Sequence, residues 1–227
     1  MTRVAALYDI HGNLPALEAV LADVPADAEI VVGGDIAYGL FPGQTLDRLR
    51  GLGPRVRWLR GNGDRELTAG EEGSPPDDVL DWVRSQLAPE QIAFLHGLPA
   101  SVTLAVNGVG RVLFVHATPR NDAEIFTDRT PEQNVAPCFS GVVADLVVCG
   151  HTHVQFEREI AGLRVVNAGS VGMAYEDAPG AYWLLLGPGA EFRRTAFEPR
   201  DSHYPGDWPS GTREEAVAYF ETRAVGG

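Results

Sequence analysis

The sequence predicts an α/β fold, and three observations support this class. Short β-branched or apolar runs recur at 4–8, 29–34, 55–61, 111–115 and 146–150. Between the first of these runs, the spacing of apolar residues changes to a helical period. After residue 153, further strand-like runs follow one another closely, with glycine or proline between them. Alternating strands and helices imply a sheet whose central strands are parallel and covered on both faces.

The individual elements follow from the same patterns. One helical face after the first strand carries Leu14, Leu17, Val20, Leu21 and Val24. Further helices are predicted at 45–50, 78–87, 89–95 and 213–223. Runs at 155–160, 164–166, 181–186 and 192–197 predict an antiparallel meander that forms a second sheet facing the first. Irregular stretches are predicted at 70–76 and 200–211.

The composition excludes several classes of function. The 227 residues include 18 basic and 31 acidic side chains, for a net charge of −13, and every basic residue is an arginine. A chain without lysine has neither Schiff-base chemistry nor the lysine of a phosphate-binding P-loop. An isoelectric point near 4.8 argues against duplex DNA as a partner, because DNA binding depends on a basic face.

The rest of the composition predicts a single domain, residues 1–227, in the cytoplasm. A hydrophobic content of 44% suits one globular core of this size. Cys138 and Cys149 form neither a disulfide framework nor a zinc-ribbon spacing, which favours a reducing compartment. No apolar run approaches the roughly 18 residues of a membrane span, so no membrane partner is expected.

Each of the five strand-like runs in the first part of the chain ends in a residue that can bind a metal ion. These residues are Asp9, His11, Asp35, Asn62, His116, His151 and His153. Ligands gather at the carboxyl ends of parallel strands, so the seven side chains are expected to converge on one rim. Seven nitrogen and oxygen ligands exceed what one tetrahedral ion can use. Two ions that share one carboxylate would use them all, and Asp35 is the natural bridge because it stands alone between paired motifs.

These motifs resemble those of the calcineurin-like metallophosphoesterase superfamily in order and spacing. The motifs are Asp9-Ile10-His11, Gly34-Asp35, Gly61-Asn62, His116 and Gly150-His151-Thr152-His153. The stretch Asn167-Ala168-Gly169-Ser170 is similar to a turn found in the small bacterial phosphodiesterase branch. The resemblance implies two facing mixed β-sheets flanked by helices, a metallophosphoesterase-like β-sandwich.

The resemblance also implies the roles of the ligands. One metal would be held by Asp9, His11, Asp35 and His153, and the other by Asp35, Asn62, His116 and His151. A metal-bridging hydroxide would be the nucleophile, with Asp35, Asn62 and His116 as the catalytic residues. We expect two divalent ions, with Mn²⁺ preferred and Fe, Zn, Ni or Co also suited to such ligands. The expected substrate is a small phosphoester, with nucleotides among the candidates and phosphodiesters favoured over monoesters. The sequence leaves open whether the chain forms homo-oligomers.

Two departures from the family pattern bear on the reaction. Many members carry a histidine where this chain has Gly63, and that histidine is assigned to protonate the leaving group. No arginine stands between Asp35 and Arg48, which argues against phosphoprotein and polyphosphate substrates. Arg120, four residues after His116, is a candidate for binding substrate phosphate, with a surface salt bridge as the alternative. The alternative functions are a nucleotidase, a phosphoprotein phosphatase, or a catalytically weak binding scaffold.

Overall fold

The computed structural model describes residues 3–68, 78–197 and 212–226. The stretches predicted to be irregular, 70–76 and 200–211, lie outside these residues. The strands are β1 (Val4–Leu7), β2 (Glu29–Gly33), β3 (Val56–Leu59), β4 (Ser101–Val106), β5 (Gly110–Val115), β6 (Leu146–Cys149), β7 (Phe156–Ile160), β8 (Leu163–Asn167), β9 (Ala181–Leu186) and β10 (Ala190–Thr195). The helices are α1 (Leu14–Asp23), α2 (Pro42–Arg50), α3 (Asn62–Thr68), α4 (Asp78–Ser85), α5 (Pro89–His96), α6 (Glu132–Val135) and α7 (Arg213–Glu221).

The strands form two mixed sheets of five strands each. The first sheet has the order β10-β9-β1-β2-β3, and the second has the order β4-β5-β6-β8-β7. In the first sheet the parallel pairs, β1 with β2 and β2 with β3, extend to the edge strand β3. In the second sheet the parallel pairs, β5 with β6 and β6 with β8, lie at the centre. The α/β class and the pair of facing mixed sheets flanked by helices are therefore confirmed.

The assignment of strands to sheets differs from the sequence prediction. The five motif-bearing strands were expected in one sheet and the later strands in another, and this is wrong. The motif-bearing strands divide between the sheets, with β1, β2 and β3 in the first and β5 and β6 in the second. The later strands also divide: β9 and β10 pair beside β1, while β7 and β8 pair beside β6. Strand β9 is buried along its whole length, which suits a central position between β1 and β10.

Alternate side chains of β1 show how the two sheets share a core. Ala6 and Tyr8 pack between the sheets, together with Phe114 and Val148 of the second sheet. Leu7 points to the opposite face and packs against the helices that cover the first sheet. The Tyr8 hydroxyl donates to the Val148 carbonyl at 3.0 Å, which joins the sheets by a hydrogen bond as well as by apolar contact.

A third apolar cluster covers the outer face of the second sheet, and it includes Phe126, Phe139 and Phe156. The layers thus run from helices through two sheets to this smaller cluster. None of the helices in the described parts of the chain has the length and apolarity that a bilayer crossing requires.

Candidate metal centre

The backbone adopts an uncommon conformation at most of the predicted ligands. Positive φ angles occur at Asp9 (51°), His11 (49°), Asp35 (51°), His151 (70°) and His153 (58°). Among the other non-glycine residues that the structure describes, only Ala161 shares this conformation. Non-glycine residues rarely adopt it, and such strain concentrates at functional sites where the surrounding structure enforces it. The strand ends are therefore shaped to present these particular side chains.

Glycines precede several ligands because the ligands pack directly on their backbone. A Cβ atom at Gly61 would clash with the Asp35 carboxylate and lie 2.8 Å from Cε1 of His116. A Cβ atom at Gly150 would clash with the Asp9 carboxylate. The motif glycines thus make room for carboxylates that come from a neighbouring strand end.

The two sheets meet at their strand ends, and this contact brings all seven predicted ligands together. The Nδ1 atom of His116, after β5 in the second sheet, lies 2.9 Å from the carbonyl of Gly33 in the first sheet. The amide of His151 donates to Oδ2 of Asp9 at 2.8 Å. We refer to the seven side chains as the ligand cluster: Asp9, His11, Asp35, Asn62, His116, His151 and His153.

One part of the ligand cluster consists of Asp9, His11 and His153. The Nε2 atoms of His11 and His153 are 3.1 Å apart, and Oδ1 of Asp9 lies 3.3 Å from Nε2 of His153 and 4.0 Å from Nε2 of His11. Adjacent ligands of one cation with metal–nitrogen bonds of about 2.1 Å lie about 3.0–3.4 Å apart. The spacing of the two imidazoles therefore fits a shared cation.

The other part consists of Asp9, Asp35 and His116, with Asn62 beside them. Nε2 of His116 lies 3.5 Å from Oδ1 of Asp35, 3.8 Å from Oδ1 of Asp9 and 3.1 Å from Oδ1 of Asn62. Asp9 belongs to both groups of potential metal donors. Asp35 also faces both, because its Oδ2 atom lies 3.8 Å from Nε2 of His11. The ring of His151 lies beside that of His116, with centroids 5.2 Å apart.

The backbone fixes which nitrogen of three imidazoles carries the proton. The Nδ1 atoms of His11, His116 and His153 each lie 2.8–3.0 Å from a backbone carbonyl oxygen. A carbonyl only accepts, so Nδ1 must donate, and a neutral ring then has an unprotonated Nε2. The Nε2 lone pairs of His11 and His153 consequently face each other across 3.1 Å. A cation between them removes the repulsion, and this is the usual arrangement of metal-binding histidines.

Burial lowers the pKa of two histidines of the cluster. It lowers the pKa of His11 to about 4, with a further contribution from His153. It also lowers the pKa of His151 to about 4, with a further contribution from His116. Burial alone would raise the pKa of Asp9, but the charges of His153, His116 and His11 together bring it below its usual range. Burial also acts to lower the pKa of His116, but the charges of Asp35 and Asp9 outweigh it and raise that pKa. The cluster therefore combines an ionised carboxylate with unprotonated imidazoles at His11 and His151, the donor forms that metal binding requires.

Two atoms of the cluster lack the partners that buried polar groups normally have. Oδ1 of Asp9 and Nε2 of His151 are buried and make no hydrogen bond. An unsatisfied buried group of this kind costs about 1–3 kcal/mol, and a carboxylate costs more. Both atoms are metal-donor types, and both lie among the other donors. The residues present therefore fit divalent cations.

Asp64 is a buried residue whose role the sequence did not reveal. Its two oxygens accept hydrogen bonds from the amides of Ile36 at 2.9 Å and Gly61 at 3.0 Å, so it links the loops after β2 and β3. Burial, together with the charge of Asp35, raises its pKa to about 7. Because both oxygens face the backbone, Asp64 positions the loops that carry Asp35 and Asn62.

Arg120 forms the salt bridge that the sequence left as an alternative. Its Nε atom donates to Oε1 of Glu124 at 2.8 Å, and the side chain is 55% exposed. It also lines a cleft that opens beside His116. Arg60 and Arg65 line the same cleft. Arg60 was not predicted from the sequence as a site residue, because only the fold places it there.

Two solved structures share this architecture. A metallophosphoesterase from Sphaerobacter thermophilus is similar over 97% of this chain and 98% of its own length, with 25% identity and a TM-score of 0.72. A hypothetical protein from Pyrococcus horikoshii OT3 is similar over 100% of this chain and 99% of its own, with 19% identity and a TM-score of 0.75. At 19% identity, the similarity to the Pyrococcus horikoshii protein shows a shared fold and no more.

Two relatives match in sequence. An uncharacterized protein of Methanocaldococcus jannaschii is 29% identical over 194 residues, which is 82% of this chain and 75% of that protein. The symmetrical bis(5′-nucleosyl)-tetraphosphatase of Yersinia pestis strain Pestoides F is 33% identical over 123 residues, or 51% of this chain. The match spans only 43% of that enzyme's length.

The facing sheets and the buried carboxylate–imidazole cluster at their strand ends define a metal-dependent hydrolase. The sequence profile of the calcineurin-like phosphoesterase superfamily domain matches residues 2–186. The chain belongs to this superfamily.

Proposed function

We propose that this protein is a phosphodiesterase that works with two divalent cations held by the ligand cluster. The observation that carries the proposal is the convergence of unprotonated imidazole nitrogens on the unpartnered Oδ1 atom of Asp9. One cation would be held by Asp9, His11, Asp35 and His153, and the other by Asp35, Asn62, His116 and His151. The bridging role of Asp35 is supported by its two oxygens, one toward His11 and the other toward His116.

The chemistry divides between the cations and the chain. When bound, two such cations neutralise phosphate oxygens and lower the pKa of water enough to make it a nucleophile near neutral pH. Asn62 and His116 would orient the phosphoryl group, because they are adjacent and His116 also lines the cleft. Gly63 supplies no general acid, so esters with acidic leaving groups are expected to react fastest.

Mn²⁺ is the proposed metal. Carboxylate and amide oxygens favour Mn²⁺, while imidazoles also suit Fe, Zn, Ni and Co. We propose a cytoplasmic location, which is supported by the two cysteines, since both are free and buried.

The proposed substrate is a small phosphoester, and one relative points to nucleotides. The Yersinia relative is named as an enzyme of dinucleoside tetraphosphates, and about half of this chain matches it. A nucleotidase or a phosphoprotein phosphatase would use the same cluster and differ only in substrate. The scaffold alternative is favoured only by the missing imidazole at Gly63.

The test is a substrate panel with the purified protein and added Mn²⁺, Ni²⁺, Co²⁺ or Zn²⁺. We expect hydrolysis of bis(p-nitrophenyl) phosphate, with a higher kcat/KM than for p-nitrophenyl phosphate and for a phosphoserine peptide. The matched control is Asp35→Asn, which keeps the size of the side chain and removes its charge, and it should be inactive with every metal. Preference for the monoester or the peptide would contradict the phosphodiesterase assignment. Inactivity with all four metals would favour the scaffold.

A further inference from the structure

A cleft of about 260 Å³ opens directly beside the ligand cluster, with His116 in its wall. Three of its lining residues are arginines: Arg60, Arg65 and Arg120. Asp122 is the one acidic residue among them. This concentration of positive side chains is unusual in a chain whose net charge is −13.

Arg60 supplies positive charge that no carboxylate of the described residues neutralises through an ion pair. It stands directly before Gly61 and Asn62, and its backbone amide donates to the carbonyl of Pro99 at 2.9 Å. Its Nε atom is buried and makes no hydrogen bond. Every other buried and unpartnered side-chain atom in the described parts of the chain belongs to the ligand cluster or to Thr45. With Nε buried against the protein and no carboxylate of the described residues paired with Arg60, its positive charge is available to an anion in the cleft that it lines.

The two other arginines are held in place by carboxylates. Nε and Nη2 of Arg65 donate to Asp122 at 3.0 and 3.2 Å, in the paired geometry that a guanidinium favours. Arg120 is held by Glu124. These pairs neutralise charge and fix the orientation of both guanidinium groups. The excess positive charge of the cleft therefore comes from Arg60.

The loop that carries Arg120 is itself well ordered. The amide of Thr118 donates to the carbonyl of Asn121 at 3.0 Å, and the amide of Asn121 donates to the Thr118 hydroxyl at 3.1 Å. The cleft is thus bounded by a braced loop on one side and by the start of α3 on the other. Its shape is set before any ligand binds, which lowers the cost of ordering it on binding.

We propose that this cleft binds a second phosphate group of the substrate, with Arg60 as the residue that determines this specificity. The proposal rests on the proposed function, because it concerns the substrate hydrolysed at the adjoining ligand cluster. A guanidinium offers a planar fork of donors that matches phosphate oxygens. The substrate class is then a phosphoester or phosphoanhydride with at least one further phosphate. This differs from the expectation drawn from the missing arginine after Asp35, because arginines from other parts of the chain occupy the site.

The experiment compares two phosphodiesters with the same leaving group. These are the p-nitrophenyl ester of thymidine 5′-phosphate and the same compound with a phosphate on its 3′-oxygen. The measured quantity is the ratio of their kcat/KM values in Mn²⁺, which isolates the effect of the added phosphate. We expect the wild-type protein to favour the phosphorylated compound at least tenfold, and Arg60→Gln to reduce that preference at least tenfold, mainly through KM.

Two further variants separate charge from structure. Arg57→Gln is the matched control, because Arg57 lies three residues earlier on β3, is exposed and pairs with Glu29 at 3.3 Å. It should keep the wild-type preference. Arg60→Lys keeps the charge but not the donor fork, so it should retain part of the preference. If Arg60→Gln does not fold, the Lys variant still tests the proposal, since an unchanged preference in it would overturn a role for the fork.

The proposal is overturned if the wild-type protein shows no preference for the phosphorylated compound, or if Arg60→Gln shows the same preference as the wild type. Both outcomes leave the proposed function intact, because hydrolysis of either diester supports it. A wild-type protein that hydrolyses neither compound with any of the four metals would contradict the proposed function itself.

Discussion

Individual imidazoles of the ligand cluster are held in one tautomer by the backbone around them. Three of them lie against carbonyl oxygens through Nδ1, so the Nε2 atom of each neutral ring is left unprotonated toward the cluster. In the fourth imidazole, that of His151, the Nε2 atom is buried and makes no hydrogen bond. Without cations the cluster therefore stores unfavourable electrostatic contacts, and these should be measurable as pH-dependent stability.

His151→Gln is expected to make the metal-free protein less sensitive to acid. Burial lowers the folded-state pKa of His151 to about 4, whereas an imidazole in the unfolded chain has a pKa of about 6.5, so between these values the unfolded chain binds a proton that the folded chain excludes. Stability is lost as the pH falls through this window, by up to about 3 kcal/mol for a shift of this size. Glutamine does not titrate, so between pH 7.5 and pH 4 the unfolding free energy of the variant should fall by up to about 3 kcal/mol less than that of the wild type.

Denaturant unfolding in the presence of a chelator at these two pH values measures the difference. The imidazole Nε2 has no partner, so its removal breaks no hydrogen bond at that atom. The unfolding free energies of the two proteins at pH 7.5 serve as the internal reference. Equal losses of stability on acidification in the two proteins would show that His151 is not buried in its neutral form.

Gly63 is the position where a single substitution should change the chemistry. Gly63→His restores an imidazole near the leaving group, and general acid help is typically worth about 10²–10⁴-fold. The gain should be largest for alkyl phosphodiesters, whose leaving groups need a proton, and small for p-nitrophenyl esters. A Cβ atom at Gly63 would lie 3.0 Å from Oδ1 of Asp35, so some crowding is expected.

Gly63→Ala introduces the same crowding without the imidazole, so the rate ratio of the His and Ala variants isolates the acid. A ratio that is the same for both kinds of leaving group would refute the missing-acid explanation.

The sequence predicted which seven side chains lie together, but not the residues that surround them, and the assignment of the seven as metal ligands stays a prediction. The seven ligands could be predicted because each follows a strand and is of a metal-binding type, and the fold places all seven together. Arg60 could not be predicted, because its place in the cleft and its buried, unpartnered Nε atom are visible only in the folded chain. Asp64 was missed for the same reason, since its hydrogen bonds join loops that are distant in sequence.

The turn after β8 is the element that ties the strand ends of the two sheets together. The hydroxyl of Ser170 donates to the backbone carbonyl of Asp9 at 2.7 Å, and the amide of Gly172 donates to the same carbonyl at 3.0 Å. Nδ2 of Asn167 donates to the carbonyl of Gly150 at 2.7 Å. One turn therefore braces the backbone before His11 in the first sheet and before His151 in the second.

Ser170→Ala is expected to weaken this connection. The variant leaves the amide of Met173 without its buried acceptor and removes one donor from the Asp9 carbonyl, at a cost of about 1–3 kcal/mol. Both unfolding free energy and Mn²⁺ affinity should fall, because the same backbone positions Asp9. Ser101→Ala, at an exposed position of β4, is the matched control and should change neither quantity. A Ser170 variant with wild-type stability and metal affinity would contradict the bracing role.

The strands themselves were predictable, but their partners were not. Local alternation and β-branched composition identify a strand, whereas the sheet it joins depends on packing between distant segments. For this reason β9 and β10 were predicted in one sheet with β7 and β8, whereas β9 pairs with β1 on one side and with β10 on the other. Strand β4 was not predicted, although Val102, Leu104 and Val106 alternate with exposed positions as in a half-buried strand.

For the molecule as a whole, the ligand cluster lies where the two sheets meet. Each proposed cation would take ligands from both: Asp9 and His11 with His153, and Asp35 and Asn62 with His116 and His151. Metal binding would thus cross-link the sheets at one edge, in addition to the apolar core between them. Cations that bind only the folded chain also stabilise it in proportion to the logarithm of their concentration.

The most direct test of the paired cations is the metal content of the protein after reconstitution with Mn²⁺ and removal of free metal. Mass spectrometry should find two ions per wild-type chain and none in Asp35→Ala, whereas Asp27→Ala, an exposed carboxylate variant, should keep both. One ion or none in the wild-type chain, or two ions retained by Asp35→Ala, would contradict a dinuclear centre bridged by Asp35.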